Sequence, residues 1–599
     1  MKFLDDTELV DLSTPHIRRL FVILDRGRVL WPIVAVTAVV CGVVAVQRWE
    51  ITDSAARWGM DSLRMLQTES APDVVTETDD IGPQLLNYPP PLARWLNAFS
   101  MWLLSPMTHL GLVLPCCAAY VGLVGATFLL YGQWCGPRYG FLAGMMVACH
   151  GPILVEATDP SPVGLCLCLA VFSVWSLGAH LQNPVRVFSG WLALSGVCWG
   201  LCLLAGGLFA FVPMLTALIG VGWQSSRGEG CRHSSSAKGA RYTAFPIAVL
   251  IAALVVSGIF VVPVTGVDAA SSWWSFLSVG DNLEPRFDLS AGARVMLSDA
   301  VTSTLGLSGL AVVGLVCVLR SGFIPVTSVG RDGVRWIVSW LSVSLVCWLY
   351  GLATVGPDTP LTDMCRLSCV LGLVGCAVVC FEEAALCRIH PLVLSSCVVF
   401  SSGVLFWTGT WSHSRSLANS QHGVILVHVV AVVLSVVVLA TATRGQERQR
   451  RRWVLSTLLL VQIAGNASVG LSMTVHRNQL VPSLASQLRK MPVVSDGILI
   501  SVKPPPDRLS FALRTLVANR HITHCKSWVE ATDAMERVIN HAPGPSTVLV
   551  ADWGVSDGFP LDSSQSKFRI LRQTTPEQVA GRWLQVTVGT GAERVGSGD

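Results

Sequence analysis

Apolar runs of bilayer length recur along this chain, and no other feature restricts its fold as strongly. The hydrocarbon layer of a membrane is about 30 Å thick and takes roughly 20 helical residues to cross. No water is present there to satisfy backbone N–H and C=O groups, so such runs must form helices that bond internally. Candidate crossings lie at 31–46, 109–131, 139–155, 162–181, 191–206, 208–223, 244–263, 301–320, 335–355, 367–381, 391–407, 423–442 and 453–472. The stretch 191–223 is divided because it is too long for one crossing and carries Gly206, Gly207 and Pro213 near its middle. The expected fold is a polytopic α-helical membrane protein with 13 transmembrane helices.

Composition argues the same way. Of 599 residues, 52% are hydrophobic and 13% charged, with mean hydropathy +0.56. Soluble proteins carry about 25% charge, so the several soluble domains that this length allows are excluded. The net charge of +4 is too balanced to argue for a nucleic-acid partner. Most of the 19 cysteines lie inside apolar runs, Cys116, Cys166 and Cys376 among them, where cysteine acts as a small hydrophobe. No CxxC pair comes with His ligands, so a zinc site is not expected.

Charge placement sets the orientation. Arg18, Arg19, Arg26 and Arg28 precede the first run, which ends without a small-x-small cleavage site, the pattern of an uncleaved signal-anchor. With a cytoplasmic N-terminus, the inner segments collect Arg138, Arg186, Arg227, Arg335, Arg388 and Arg450, while the outer loops collect acids such as Asp61, Asp73, Glu77, Glu156 and Asp281. This asymmetry obeys the positive-inside rule and supports an odd number of crossings. The expected organisation is a cytoplasmic segment 1–28, a transmembrane domain 29–472 and an extracytoplasmic α/β domain 473–599, in the cell (inner or plasma) membrane. The tail reads β-α-β-α-β, with strands at 497–502, 521–525 and 547–552 and helices at 508–519 and 528–540. Ser527 and Glu530 form a capping box for the second helix. No Gly-rich phosphate loop follows any of these strands, so the tail is read as a scaffold or acceptor-docking module.

Two outer segments carry ionisable groups near the membrane face. The first is the loop 47–91. There Asp53 and Arg57 fall at i, i+4 and share a face if the segment is helical, a spacing that a solvated surface pair also explains. The loop leads into Asn87-Tyr88-Pro89-Pro90-Pro91 and then a 13-residue apolar stretch, 92–104, too short to span. Its Trp95, Phe99 and Trp102 suit a helix lying along the interface, and equally a plain approach to the next crossing. The second segment is the turn 156–161, which pins Glu156 and Asp159 between two crossings. An acid so close to hydrocarbon is costly unless it is paired or lines a wet cavity. Asp159 also fits as the cap of the following helix.

In their order these features resemble the C-type integral-membrane glycosyltransferases, particularly the lipid A aminoarabinose transferase and protein O-mannosyltransferase branch. Asp53 matches that family's first-loop acid, Pro90-Pro91-Leu92-Ala93-Arg94-Trp95 its proline motif, and Asp159 its second-loop acid. Two positions depart from the pattern. Ser54 replaces a second acid, which weakens a two-acid metal site, and Pro89 replaces a Lys, which argues against aminoarabinose as the sugar. Arg366, in Asp363-Met364-Cys365-Arg366-Leu367, is similar to a region where relatives turn a cation toward the donor phosphate.

The resemblance implies inverting transfer of a hexosyl or pentosyl group from a polyprenyl-phosphate donor to a lipid, glycan or protein hydroxyl at the outer face. Asp53 is the expected general base and Asp159 the orienting acid, with coordination of a divalent metal ion by Asp53 and Asp159 as their alternative role. Arg57, Tyr88, Arg94, Glu156 and Arg366 are expected around the donor and its phosphate. Asp268, Trp273 and Trp274 in the loop 267–290 line a sugar pocket or, for the tryptophans, form an aromatic belt. The competing reading is a secondary transporter or flippase of a lipid-linked or small solute, which calls for internal repeats and ionisable groups at mid-membrane depth. No repeat is visible, and His428 and Asn466 are the polar exceptions within the crossings.

Overall fold

The computed structural model describes residues 27–47, 91–104, 108–182, 189–226, 244–255, 308–323, 331–354 and 360–385, the strand segments 499–502, 522–525, 547–552, 568–574 and 582–588, and a few single positions. The expected crossings at 391–407, 423–442 and 453–472 lie outside these residues, as do Asp268, Trp273, Trp274 and most of the two helices expected in the tail.

The helical part runs α1 (Gly27–Gln47), α2 (Pro91–Leu103), α3 (Thr108–Cys135), α4 (Pro137–Ala148), α5 (Gly151–Val155), α6 (Val163–Gln182), α7 (Gly190–Gly206), a 3-10 turn (Gly207–Ala210), α8 (Phe211–Ser226), α9 (Ala244–Val255), α10 (Ser308–Phe323), α11 (Arg331–Thr354) and α12 (Pro360–Ala385). Among the described residues, five stretches are long and apolar enough to cross a membrane, and four shorter helices are apolar too. Local chemistry explains the joints. Gly136, at φ 114, turns the chain between α3 and α4, and Pro137 opens α4. Ser189 caps α7 by accepting from the Leu192 N–H at 3.3 Å, and its hydroxyl also meets His180 Nδ1 at 2.8 Å, so one side chain starts α7 and ties it to α6.

Two joints refine the sequence reading. The run 139–155 is interrupted, with His150 extended (φ −78, ψ 118) between α4 and α5. Pro152 explains the break, because its ring would clash with the carbonyl four residues earlier and it has no N–H to bond there. The division of 191–223 falls at Gly207 (φ 52), where α7 gives way to the 3-10 turn and α8. The two halves do not lie alongside each other as a hairpin would.

Among the described residues, helix α12 packs on α4, α6, α10 and α11. Residues Cys376 to Cys380 are fully buried, as expected of a helix that is apolar all round. Buried side chains bond to its backbone. Trp340 Nε1 of α11 donates to Ser368 O at 2.9 Å and Tyr131 Oη of α3 donates to Leu371 O at 2.6 Å, while the Ser344 and Ser368 hydroxyls are 2.7 Å apart. In an apolar medium such bonds between helices fix rotation about the helix axis, and here they set which way the first turns of α12 face. Small residues allow the tightest crossings. A Cβ at Gly196 would stand 2.6 Å from Ile251 Cβ and 2.7 Å from the Ala248 carbonyl oxygen, and one at Gly200 would stand 2.9 Å from that of Ala252, so α7 meets α9 through a Gly-xxx-Gly face.

The described part of the C-terminal segment is a five-stranded sheet of order β2-β1-β3-β5-β4. Its strands are β1 (Leu499–Val502), β2 (Ile522–Cys525), β3 (Thr547–Asp552), β4 (Phe568–Thr574) and β5 (Arg582–Val588). β1 pairs in parallel with β2 and β3, with Leu499 opposite Ile522 and Leu549. The run Thr547-Val548-Leu549-Val550 is near-continuously β-branched or apolar, as suits an inner strand. The antiparallel pair β4 and β5, the latter on β3, was not anticipated from the sequence; a register shift lies between Ile570 and Arg572.

Candidate functional site

The turn after α5 is built from bonds that reach back to the helix end. Ala157 N donates to Leu154 O at 3.1 Å, and Thr158 N and Asp159 N donate to Val155 O at 3.0 and 3.2 Å. Thr158 Oγ1 donates to the same carbonyl at 2.9 Å. Helix C-termini leave carbonyls without intrahelical donors, and here the turn itself supplies them. Ser161 then closes the segment. Its N–H donates to Asp159 Oδ1 at 3.3 Å and its hydroxyl to Glu156 Oε2 at 3.2 Å, so one residue holds both carboxylates. Glu156 is buried and Asp159 half-buried.

Two other elements reach this turn. Asn97 of α2, itself buried, donates from Nδ2 to Pro160 O at 3.2 Å. Arg94 lies three residues earlier and therefore on the same side of α2, its Nε shielded from solvent. From α12, Arg366 Nη2 meets Asp363 Oδ1 at 2.8 Å, and Arg366 Nε is buried with no hydrogen-bond acceptor among the described residues.

The electrostatics show that these groups share one locality. Burial pushes the Glu156 carboxyl well above the usual carboxylate range; the charges of Asp159 and then Asp363 add to the rise, and Arg366 and the Ser161 hydroxyl oppose it. The Glu156 carboxyl thus feels two neighbouring acids and one guanidinium, and it holds its proton where an exposed acid would not. A neutral carboxyl donates a hydrogen bond, so Glu156 can offer a ligand a donor as well as an acceptor. Among the described residues no three His, Cys, Asp or Glu side chains gather to hold a metal ion. Those residues alone do not supply the donor set of a divalent cation.

The structure therefore holds Glu156 and Asp159 in one turn, sets Arg366 near enough for its charge to act on Glu156, and bonds the helix that carries Arg94 to the same turn. Asp53, Arg57 and Tyr88 lie outside the described residues. Asn97 and Ser161 were not singled out from the sequence. Asn97 left a faint signal, an amide set between Leu96 and Ala98 in an apolar helix. Helix α2 has the length expected of the interfacial segment. It buries Ala93, Asn97 and Met101 and exposes Phe99, Trp102 and Leu103.

The helical bundle that carries this turn shares its fold with solved structures. The chain is similar to the crystal structure of ArnT from Cupriavidus metallidurans bound to undecaprenyl phosphate, with TM-score 0.58 and 13% identity over 93% of this chain and 98% of that one. The same protein in the apo state matches with TM-score 0.56 and 11% identity, over 92% and 97% of the two chains. The likeness is one of fold. No protein-family model matches the chain, and no curated protein matches it in sequence.

Proposed function

We propose that this protein is an inverting glycosyltransferase that moves a sugar from a polyprenyl phosphate to an acceptor hydroxyl at the outer face of the cell membrane. The observation that supports this reading is an acid turn of Glu156 and Asp159 tied to α2 and acted on by the Arg366 charge, in a fold shared with a protein crystallised with undecaprenyl phosphate. The reading includes 13 crossings, a cytoplasmic N-terminus and an extracytoplasmic α/β tail, as the charge asymmetry implies.

The chemistry follows from where charge develops. The bond from the anomeric carbon to the phosphate oxygen breaks as the acceptor oxygen attacks from the opposite face, and the leaving phosphate gains negative charge. Arg366, with an unused N–H, is placed to receive that charge, and Arg94, Arg57 and Tyr88 complete the donor contacts. Asp53 takes the acceptor proton. Asp159, held by Ser161, orients the reacting groups. Asp53 and Asp159 are also the residues that would hold a divalent ion, which would add Lewis-acid stabilisation of the phosphate. No step here depends on it.

The test is sugar transfer from polyprenyl-phosphate sugars by membranes containing the protein, with cell-envelope lipids and glycoproteins compared by mass spectrometry with and without it. Asp53→Asn and Asp159→Asn should each lower transfer by about 10²–10⁴-fold, with the yield of folded protein unchanged. Wild-type transfer by both variants, or ion-driven solute uptake by proteoliposomes without transfer, would overturn the reading.

A further inference from the structure

Asn97 stands where an apolar residue would cost nothing to bury. It is 2% exposed on the inner face of α2, and its amide survives there because Nδ2 donates to Pro160 O, a partner 63 residues away in sequence. Pro160 has no N–H, so its carbonyl is the one backbone group by which it can be tethered. Its neighbours on either side are Asp159 and Ser161, the residue whose N–H and hydroxyl hold the Asp159 and Glu156 carboxylates.

The rest of α2 makes this tether consequential. A Cβ at Gly111 would stand 2.6 Å from Met101 Cα, so the C-terminal end of the helix is seated against α3 with no slack. Its other face exposes Phe99, Trp102 and Leu103 at 58%, 63% and 60%. One rigid helix thus turns an aromatic face outward and a single amide toward the acid turn.

We infer that Asn97 is a positioning residue that fixes the Asp159 carboxylate through Pro160 and Ser161, so that the orientation of this acid follows the seating of α2. The inference rests on the glycosyl-transfer reading for what the acid does, and on geometry alone for how it is held.

The full-length protein in nanodiscs provides the test. Asn97→Asp keeps the shape and removes the donor. It should lower kcat for transfer by about tenfold to a hundredfold while the KM for the polyprenyl-phosphate sugar stays within about twofold, because misplacement by an ångström is felt in the transition state. Asn97→Leu, which keeps the bulk of the side chain without a donor, should do the same. Wild-type kcat in Asn97→Asp and Asn97→Leu, alongside an inactive Asp159→Asn, overturns the inference and leaves the transfer reading standing. A second measurement needs no activity. Hydrogen exchange of the 156–162 segment should quicken about five- to tenfold in Asn97→Asp, with exchange in α6 unchanged. Unchanged exchange in 156–162, or an increase spread through the bundle, overturns the inference. A wild-type protein that transfers no sugar sinks the functional reading, and the exchange result still decides this one.

Discussion

Arg366 and Asp363 face each other one turn apart on α12, Nη2 to Oδ1 at 2.8 Å, and the guanidinium keeps a buried Nε with no acceptor among the described residues. The side chains are 24% and 36% exposed, and an ion pair that wet is worth about 0–1 kcal/mol. Asp363→Asn should therefore change stability by less than about 1 kcal/mol. On the proposed glycosyl-transfer reading, Arg366→Gln should weaken binding of a polyprenyl phosphate by about tenfold or more, since a hydrogen bond to a charged group contributes about 1.5–3 kcal/mol. Titration of the purified protein with the lipid phosphate reads this directly. Equal affinity in wild type and Arg366→Gln would remove Arg366 from the donor site.

Glu156 makes stability depend on pH with a definite sign. Its carboxyl is pushed up in the folded protein, first by burial and then by Asp159 and Asp363, so the folded state holds a proton that the unfolded chain releases at an ordinary carboxylate value. A raised folded value gives stability that is complete below the unfolded pKa and is lost as pH climbs toward the folded one. Glu156→Gln, which is neutral at every pH, should lose less thermal stability than wild type between about pH 5 and pH 8. Parallel melting curves for the two proteins across that range would show that Glu156 is ionised when folded.

Helix crossings through glycine make a third expectation. A Cβ at Gly314 would be driven into the backbone of Cys376, whereas one at Gly132 would meet nothing within 4 Å among the described residues. Gly314→Ala should destabilise the bundle by roughly 1–3 kcal/mol through the forced separation of α10 from α12. Gly132→Ala should be neutral or stabilising by up to about 1 kcal/mol, as alanine is the better helix former. Detergent-solubilised melting temperatures that rank the two in the opposite order would refute this account of the α10–α12 contact.

What the chain reveals before folding depends on whether a feature is local. The division near Gly206 and Gly207 and the three parallel strands are each written within about a dozen residues, by breakers or by runs of β-branched side chains. Glu156 and Asp159 were visible because acids squeezed into six residues between apolar runs have nowhere inconspicuous to go. The break at His150 was missed because the apolarity of 139–155 runs straight through Pro152. β5 carried its signal in the alternation of Leu584, Val586 and Val588, which its polar neighbours diluted. Asn97 and Ser161 were illegible for a different reason. Their meaning lies in partners, and the bond from Asn97 to Pro160 spans 63 residues that no local pattern connects.

The corner at Gly207 has a further consequence for the surrounding lipid. The apolar stretch Gly190–Val221 has 32 residues, about 48 Å if straight, against a hydrocarbon layer of about 30 Å. The helices on either side of the corner, α7 of 17 residues and α8 of 16, the latter running on to Ser226, measure only about 26 and 24 Å each. Either piece alone falls short of the layer, and together they overshoot it. Beside this corner the bilayer has to pucker or the helices have to lean, so lipid chain length becomes something this part of the protein feels.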